Sequence, residues 1–169
     1  MTPGFRVLGI DASLRSPGLA VVEARGTRLA AVAMQTLKFP PRARHSECLR
    51  GISEAIRELI AKTAPGAAAI EGGFFQRNAK TADILGQVRG AAIAACACAG
   101  VPVFEYAPRR AKQALVGHGG AEKEQVARMV MQLLALDVMP QEDAADALAV
   151  AICHLNTRTG HAVLDAEPI

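Results

Sequence analysis

Phe5-Arg6-Val7-Leu8-Gly9-Ile10-Asp11 sets the reading of everything that follows it. Its apolar centre gives a largely buried strand, and that strand ends on a carboxylate. Leu19 to Ala24 and Leu29 to Leu37 have the same strand character, with Arg25-Gly26-Thr27 between them as a hairpin turn. Three strands joined by such short links form an antiparallel meander. Pro40-Pro41 closes it.

Beyond that pair the periodicity changes. Leu49, Ile52, Ile56, Leu59 and Ile60 recur at helical spacing from His45 to about Thr63, and Pro65-Gly66 stops the helix. Ala67-Ala68-Ala69-Ile70-Glu71 is a second short buried strand ending in an acid. A helix from Lys80 to Ala99 leads to a fifth strand, Val101 to Tyr106, and helical patterns resume at Arg109–Leu115, Ala121–Leu136 and Asp143–Leu155. The order predicts an α/β chain with a five-stranded mixed sheet flanked by helices: an antiparallel meander, then alternating strands and helices. Without a repeat or a long linker, residues 1–157 form a single domain, and residues 158–169 are expected to be a loosely held tail.

Composition narrows the function classes. At 169 residues the chain suits one core, and 51% hydrophobic against 21% charged residues excludes disorder as the dominant state. No stretch approaches the ~18 apolar residues of a membrane span and no signal-peptide core is present, so the expectation is a soluble, cytoplasmic protein without a membrane partner. Alanine supplies 34 residues while Trp is absent and Tyr occurs once, which favours closely approaching helices over an aromatic core. The net charge of +3 conceals an asymmetry. Residues 137–169 hold one base, Arg158, against Asp137, Glu142, Asp143, Asp146, Asp165 and Glu167, a balance of −5 that leaves +8 on residues 1–136. A basic body suits a polyanion, and an acidic end suits a cation. Cys48, Cys96, Cys98 and Cys153 form no CxxC pair and no zinc spacing with His45, His118, His154 or His161, so they are read as reduced and packed.

The acids carry the chemistry. Asp11 and Glu71 each end an apolar strand, and neighbouring strands would place both where open α/β sheets bind ligands. Alone, each reads more simply as an acid capping a turn. Asp143-Ala144-Ala145-Asp146 puts two more carboxylates on one helical face. Asp143 can be read as an N-cap, but Asp146 precedes the apolar run Ala147 to Cys153 and should face inward. Four convergent carboxylates without obligatory His or Cys favour Mg²⁺ or Mn²⁺, and two such ions suit phosphodiester hydrolysis. His154, eight residues past Asp146, reads as a polar residue at a helix C-terminus rather than a ligand.

Other residues suit DNA. Glu71-Gly72-Gly73-Phe74-Phe75-Gln76-Arg77-Asn78 is a loop with two glycines, two adjacent aromatics and a base, fit to wedge a distorted nucleic-acid step. Core burial is the plainer fate of aromatics, and one of the two Phe is expected to be exposed. Arg109, Arg110, Lys112 and Lys123 cluster around the loop Val116-Gly117-His118-Gly119-Gly120, either as phosphate contacts or as a solvated face.

Taken in order, these motifs resemble the RuvC-type Holliday-junction resolvases. The resemblance runs from about residue 6 to His154: Gly9-Ile10-Asp11, Ile70-Glu71 with Phe74 and Asn78, Leu85-Gly86-Gln87-Val88-Arg89-Gly90, Glu105-Tyr106-Ala107-Pro108, Lys112-Gln113, Glu122-Lys123, and Asp143 through Ala149. It implies a ribonuclease H-like fold, a homodimer, and Mg²⁺-dependent symmetric nicking of four-way DNA junctions in recombination and repair, with two ions per site and Mn²⁺ as a substitute. By resemblance the metal acids are Asp11, Glu71, Asp143 and Asp146. Lys112 and Lys123 serve DNA contact and catalysis, and Phe74 acts on bases near the crossover. Phe74, Arg77, Asn78, Arg109 and Arg110 with the two lysines make the expected DNA surface. RuvA and RuvB are the implied partners. The first loop departs from the family's Asp-Pro-Gly, reading Asp11-Ala12-Ser13 and then Ser16-Pro17-Gly18. A non-catalytic junction-binding scaffold on the same fold is the alternative. An actin-like or sugar-kinase ATP domain would need two related domains, more than 169 residues supply.

Overall fold

In the computed structural model, residues 4–72, 78–159 and 167–169 are described. Strand β1 (Phe5–Asp11) pairs antiparallel with β2 (Gly18–Arg25), which pairs antiparallel with β3 (Arg28–Thr36). On its other side β1 runs parallel to β4 (Ala67–Glu71), and β4 parallel to β5 (Val103–Tyr106). The sheet order is therefore β3-β2-β1-β4-β5, the meander followed by crossovers. Parallel neighbours need long connections. Helix α1 (His45–Thr63) supplies the first and α2 (Ala79–Cys98) the second. Helices α3 (Pro108–Val116), α4 (Lys123–Leu133) and α5 (Glu142–Thr159) follow.

Strand periodicity sorts the core into two layers. Leu8, Ile10, Leu19, Val21, Ala68 and Ile70 face α1 and α2, against Ile52, Ile56 and Val88. Val7, Ala20, Val22, Ala67 and Ala69 face the other way, onto Ala147, Leu148, Ala151 and Ile152 of α5. Each large aliphatic chain so buried contributes about 1.5–3 kcal/mol.

Small residues also bring a helix close to the sheet: a Cβ on Gly9 would lie 1.8 Å from the Ala147 carbonyl oxygen, and one on Gly18 would lie 1.8 Å from that of Asp143. Glycine in β1 and β2, with the small residues of α5, lets the helix lie directly on the strands.

Several boundaries shift from the expectation. Helix α4 ends at Leu133 rather than Leu136, because Ala135 takes φ 50°. Leu134 stays buried after the helix stops, which prolongs the apolar pattern. Helix α5 begins at Glu142, so Asp143 is inside the first turn and is not the N-cap. The same helix runs to Thr159, into the expected tail; residues 160–166 lie outside the described residues, and the Ile169 amide donates to the Val103 carbonyl at 2.9 Å. Cys48, Cys96 and Cys153 are buried, but Cys98 is exposed near the end of α2 and is not packed as expected.

Candidate active site

Parallel register sets the first two acids side by side. Ile10 lies opposite Ile70, so Asp11 and Glu71 follow together at the C-terminal ends of adjacent strands. Both fall on the Val7/Ala67 side by strand alternation, the side that carries α5. The close seating of α5 on Gly9 and Gly18 then brings Asp143 and Asp146 over them. Lys112 from α3 and Lys123 from the start of α4 complete the set. All six line one cavity of about 300 Å³, with Pro108, Ala111, Val126 and Ala149 as its apolar wall.

The acids repel one another in a desolvated place. Burial, then the charges of Asp146, Glu71 and Asp143, push the Asp11 carboxyl up to about 7 against a smaller opposing effect of Lys123. Burial followed by Asp146 raises Glu71, with Lys112 and Lys123 pulling the other way. Asp146 is raised by burial, opposed by Lys123. The Lys123 ammonium donates to Glu142 and lies 3.8 Å from Asp146 Oδ2. Its own pKa rises, chiefly through Glu142 and despite some desolvation.

Asp143 is held from outside the predicted set. Ser16 Oγ donates to its Oδ1 at 3.4 Å, and Lys38 Nζ lies 3.5 Å from its Oδ2. Among the described residues, no three His, Cys, Asp or Glu side chains are gathered around a single ion position. Neither Ser16 nor Lys38 was singled out by sequence, because each meets Asp143 across more than a hundred residues. Arg89, part of the Leu85–Gly90 motif, also acts on the site. Its guanidinium donates to the Glu71 carbonyl and, at 2.5 Å, to Glu105 Oε2, pinning the end of β4.

The remaining expectations divide. Arg109 is exposed, and the half-buried Arg110 carries its guanidinium over the Tyr106 ring at 5.5 Å from the centroid. Asn78 caps α2, its Oδ1 accepting from the amides of Lys80 and Thr81. Phe74, Phe75 and Arg77 lie outside the described residues. His154 is not a polar helix end: it is 3% exposed, its Nδ1 sits 2.7 Å from the Tyr106 hydroxyl, and its ring packs on Phe104. Burial, with help from Arg158, lowers its pKa to about 4.

The whole sequence and fold resemble known proteins. Residues 7–154 match the family model described as crossover junction endodeoxyribonuclease RuvC. The chain is 50% identical over 151 residues to the protein of that name from Alkalilimnicola ehrlichii, covering 89% of this chain and 91% of that one. Identity is also 50% over 155 residues with its counterpart from Halorhodospira halophila, covering 91% and 92%. Among solved structures, T. thermophilus RuvC in complex with Holliday junction substrate superposes with a TM-score of 0.90 at 35% identity, covering 98% of this chain and 99% of that chain. The yeast mitochondrial Holliday junction resolvase Ydc2, 12% identical with a TM-score of 0.64 over 91% and 79%, shares the fold. On its ribonuclease H-like fold, with four acids and two lysines around one cavity, the chain belongs to the RuvC family of crossover junction endodeoxyribonucleases.

Proposed function

We propose that the chain resolves four-way DNA junctions by paired, symmetric phosphodiester hydrolysis in recombination and repair. The observation that carries this is the single cavity shared by Asp11, Glu71, Asp143, Asp146, Lys112 and Lys123 in a chain of this family.

The donor set fits a hard divalent cation. It is all carboxylate oxygen; burial and then mutual repulsion raise Asp11, and a bound cation would relieve the repulsion. Asp11, Glu71, Asp143 and Asp146 would hold Mg²⁺, two ions per site, with Mn²⁺ as a substitute. When bound, such ions activate a water toward phosphorus and stabilise the leaving oxygen.

The chain's own cations do the rest. Lys112 and Lys123 place positive charge on the wall where a phosphate enters, drawing the strand in and offsetting charge that builds on its oxygens. Glu142 keeps the Lys123 ammonium at that wall. Arg89 fixes the Glu71 main chain, so the carboxylate approaches from a set backbone. Pro108, Ala111, Val126 and Ala149 limit water and strengthen each of these interactions.

Symmetric cutting needs two sites facing strands of like polarity, which a homodimer with a two-fold axis supplies. Open space beside the exposed Gly86 and Gly90 of α2 supports such a contact there. RuvA and RuvB are the partners that this reading carries with it. Among the described residues no helix is long and apolar enough to cross a membrane, and the cytoplasm is the proposed location.

Incubation of the protein with a labelled mobile four-way junction and Mg²⁺, with product mapping, tests the proposal. The wild type gives paired symmetric nicks, and Asp146→Asn binds the junction without cutting it. Wild-type binding without nicks would overturn the nuclease and leave the scaffold.

A further inference from the structure

Residues 38–45 read Lys-Phe-Pro-Pro-Arg-Ala-Arg-His and contain no acid. Lys38, Arg42, Arg44 and His45 are all exposed. Three surface bases are neutralised along their own helices, in Arg50–Glu54, Lys62–Glu58 and Arg128–Glu124. No ion pair among the described residues involves Arg42 or Arg44.

The segment is also held in place. Ala43 N–H donates to the Pro40 carbonyl at 3.0 Å, closing a turn with Pro41 in a favoured position. Arg15 Nη1 donates to the Pro40 carbonyl at 2.8 Å and to that of Ala43 at 2.9 Å, so this cation is spent on the backbone beneath the loop. Phe39 N–H donates to the Arg15 carbonyl, and the Phe39 ring packs into the α1 side of the core. A preformed loop loses little entropy on binding.

Its position joins it to the active site. Lys38 reaches Asp143 while Lys123 reaches Asp146, one turn apart on α5. The loop that carries Arg42 and Arg44 therefore starts at the Asp143 edge of the cavity, opposite the Lys123 edge.

We propose that Lys38, Arg42 and Arg44 form a second phosphate-binding surface, which seats the backbone of a DNA arm leading away from the scissile phosphate. The assignment rests on the nuclease reading above and names a surface that the sequence motifs do not include. Guanidinium groups with no acid of their own are suited to phosphate oxygens, and a fixed loop sets the register of the strand without reading its bases.

The test is junction affinity as a function of salt for the wild type and for an Arg42→Gln/Arg44→Gln double variant, in Ca²⁺ or without a divalent ion. The variant should bind roughly tenfold more weakly near 0.1 M salt, with the log–log salt slope reduced by about two, one per lost phosphate contact. Thermal unfolding, measured in parallel, should not move. Methylphosphonate substitution of phosphates flanking the nick adds a cycle: at the contacted positions it weakens the wild type but not the double variant. An unchanged slope, or equal weakening of both proteins at every position, overturns the surface and leaves a merely solvated loop. If the wild type binds and cuts junctions while the variant matches it, this inference fails and the nuclease stands. If the wild type binds no junction, both fall.

Discussion

Lys123 Nζ lies 3.8 Å from Asp146 Oδ2 while donating to Glu142, so one ammonium is shared by two acids of α5. Its side chain is 66% exposed, which makes the pair with Glu142 a weak contributor to stability. Lys123→Gln should therefore move the thermal midpoint by less than about 2 °C. Junction cleavage at saturating Mg²⁺ should fall about 100-fold, the scale for loss of one group that stabilises developing charge. A variant that cleaves at the wild-type rate would remove Lys123 from the machinery.

Asp11 predicts a pH dependence in the metal-free protein. Its pKa stands at about 7 in the folded state against an ordinary 3.8, so the folded state holds the proton more tightly. Stability from this group is therefore present at low pH and is lost as pH rises through about 7. Asp11→Asn should raise metal-free stability at pH 8 by about 2 kcal/mol, or roughly 4–8 °C, while abolishing cleavage. Calorimetry from pH 5 to 8 reads this, and a midpoint lowered at pH 8 would contradict it.

His154 gives the opposite slope. Its folded pKa of about 4 lies below the ordinary 6.5, so its stability is present above pH 6.5 and is lost as pH falls toward 4. Glu71 and Asp146, both raised by burial, slope the other way, so the His154 share is read by difference: a His154→Gln variant should lose the part of the dependence between pH 6.5 and 4 that has this sign. Tyr106→Phe leaves His154 Nδ1 without its 2.7 Å partner and should cost about 1–3 kcal/mol. Titration of the His154 ring by NMR checks the premise; an ordinary value would dismiss it.

Gly9→Ala places a methyl 1.8 Å from the Ala147 carbonyl. The helix must then lift from the sheet, at a cost of about 3 kcal/mol or more. Gly18→Ala should do the same against Asp143, and either change should weaken Mn²⁺ binding measured by calorimetry on the folded fraction. Wild-type stability in both variants would refute the close approach.

Mg²⁺ should itself stabilise the wild type, more at pH 8 than at pH 6, since protons and cations compete for the same carboxylates. Asp146→Asn should blunt that gain. A pH-independent shift in the thermal midpoint would argue against cation binding at these acids.

The sequence displayed the strands, the helices and the four acids because each is written locally. β1 and β4 are apolar runs that end on Asp11 and Glu71, and Asp143 and Asp146 share a face by spacing alone. What it hid is non-local. Ser16 and Lys38 meet Asp143 across 127 and 105 residues, and Tyr106 finds His154 across 48. The apolar run Ala147–Cys153 and Leu155 flank His154, but the partners that hold it, Phe104 and Tyr106, come from β5 and are not signalled in its own segment. The end of α4 was obscured because Leu134 is packed like a helical residue after Ala135 has turned the backbone.

The seating of α5 on Gly9 and Gly18 has a consequence for the order of events in synthesis. Half of the acidic set arrives on the last helix, seated on β1 and β2, which were made more than a hundred residues earlier. A growing chain that has completed β1 and β4 carries Asp11 and Glu71 but lacks their counterparts and the layer that buries them. If cutting needs all four acids, as proposed, a chain would not cut until α5 has docked on the sheet.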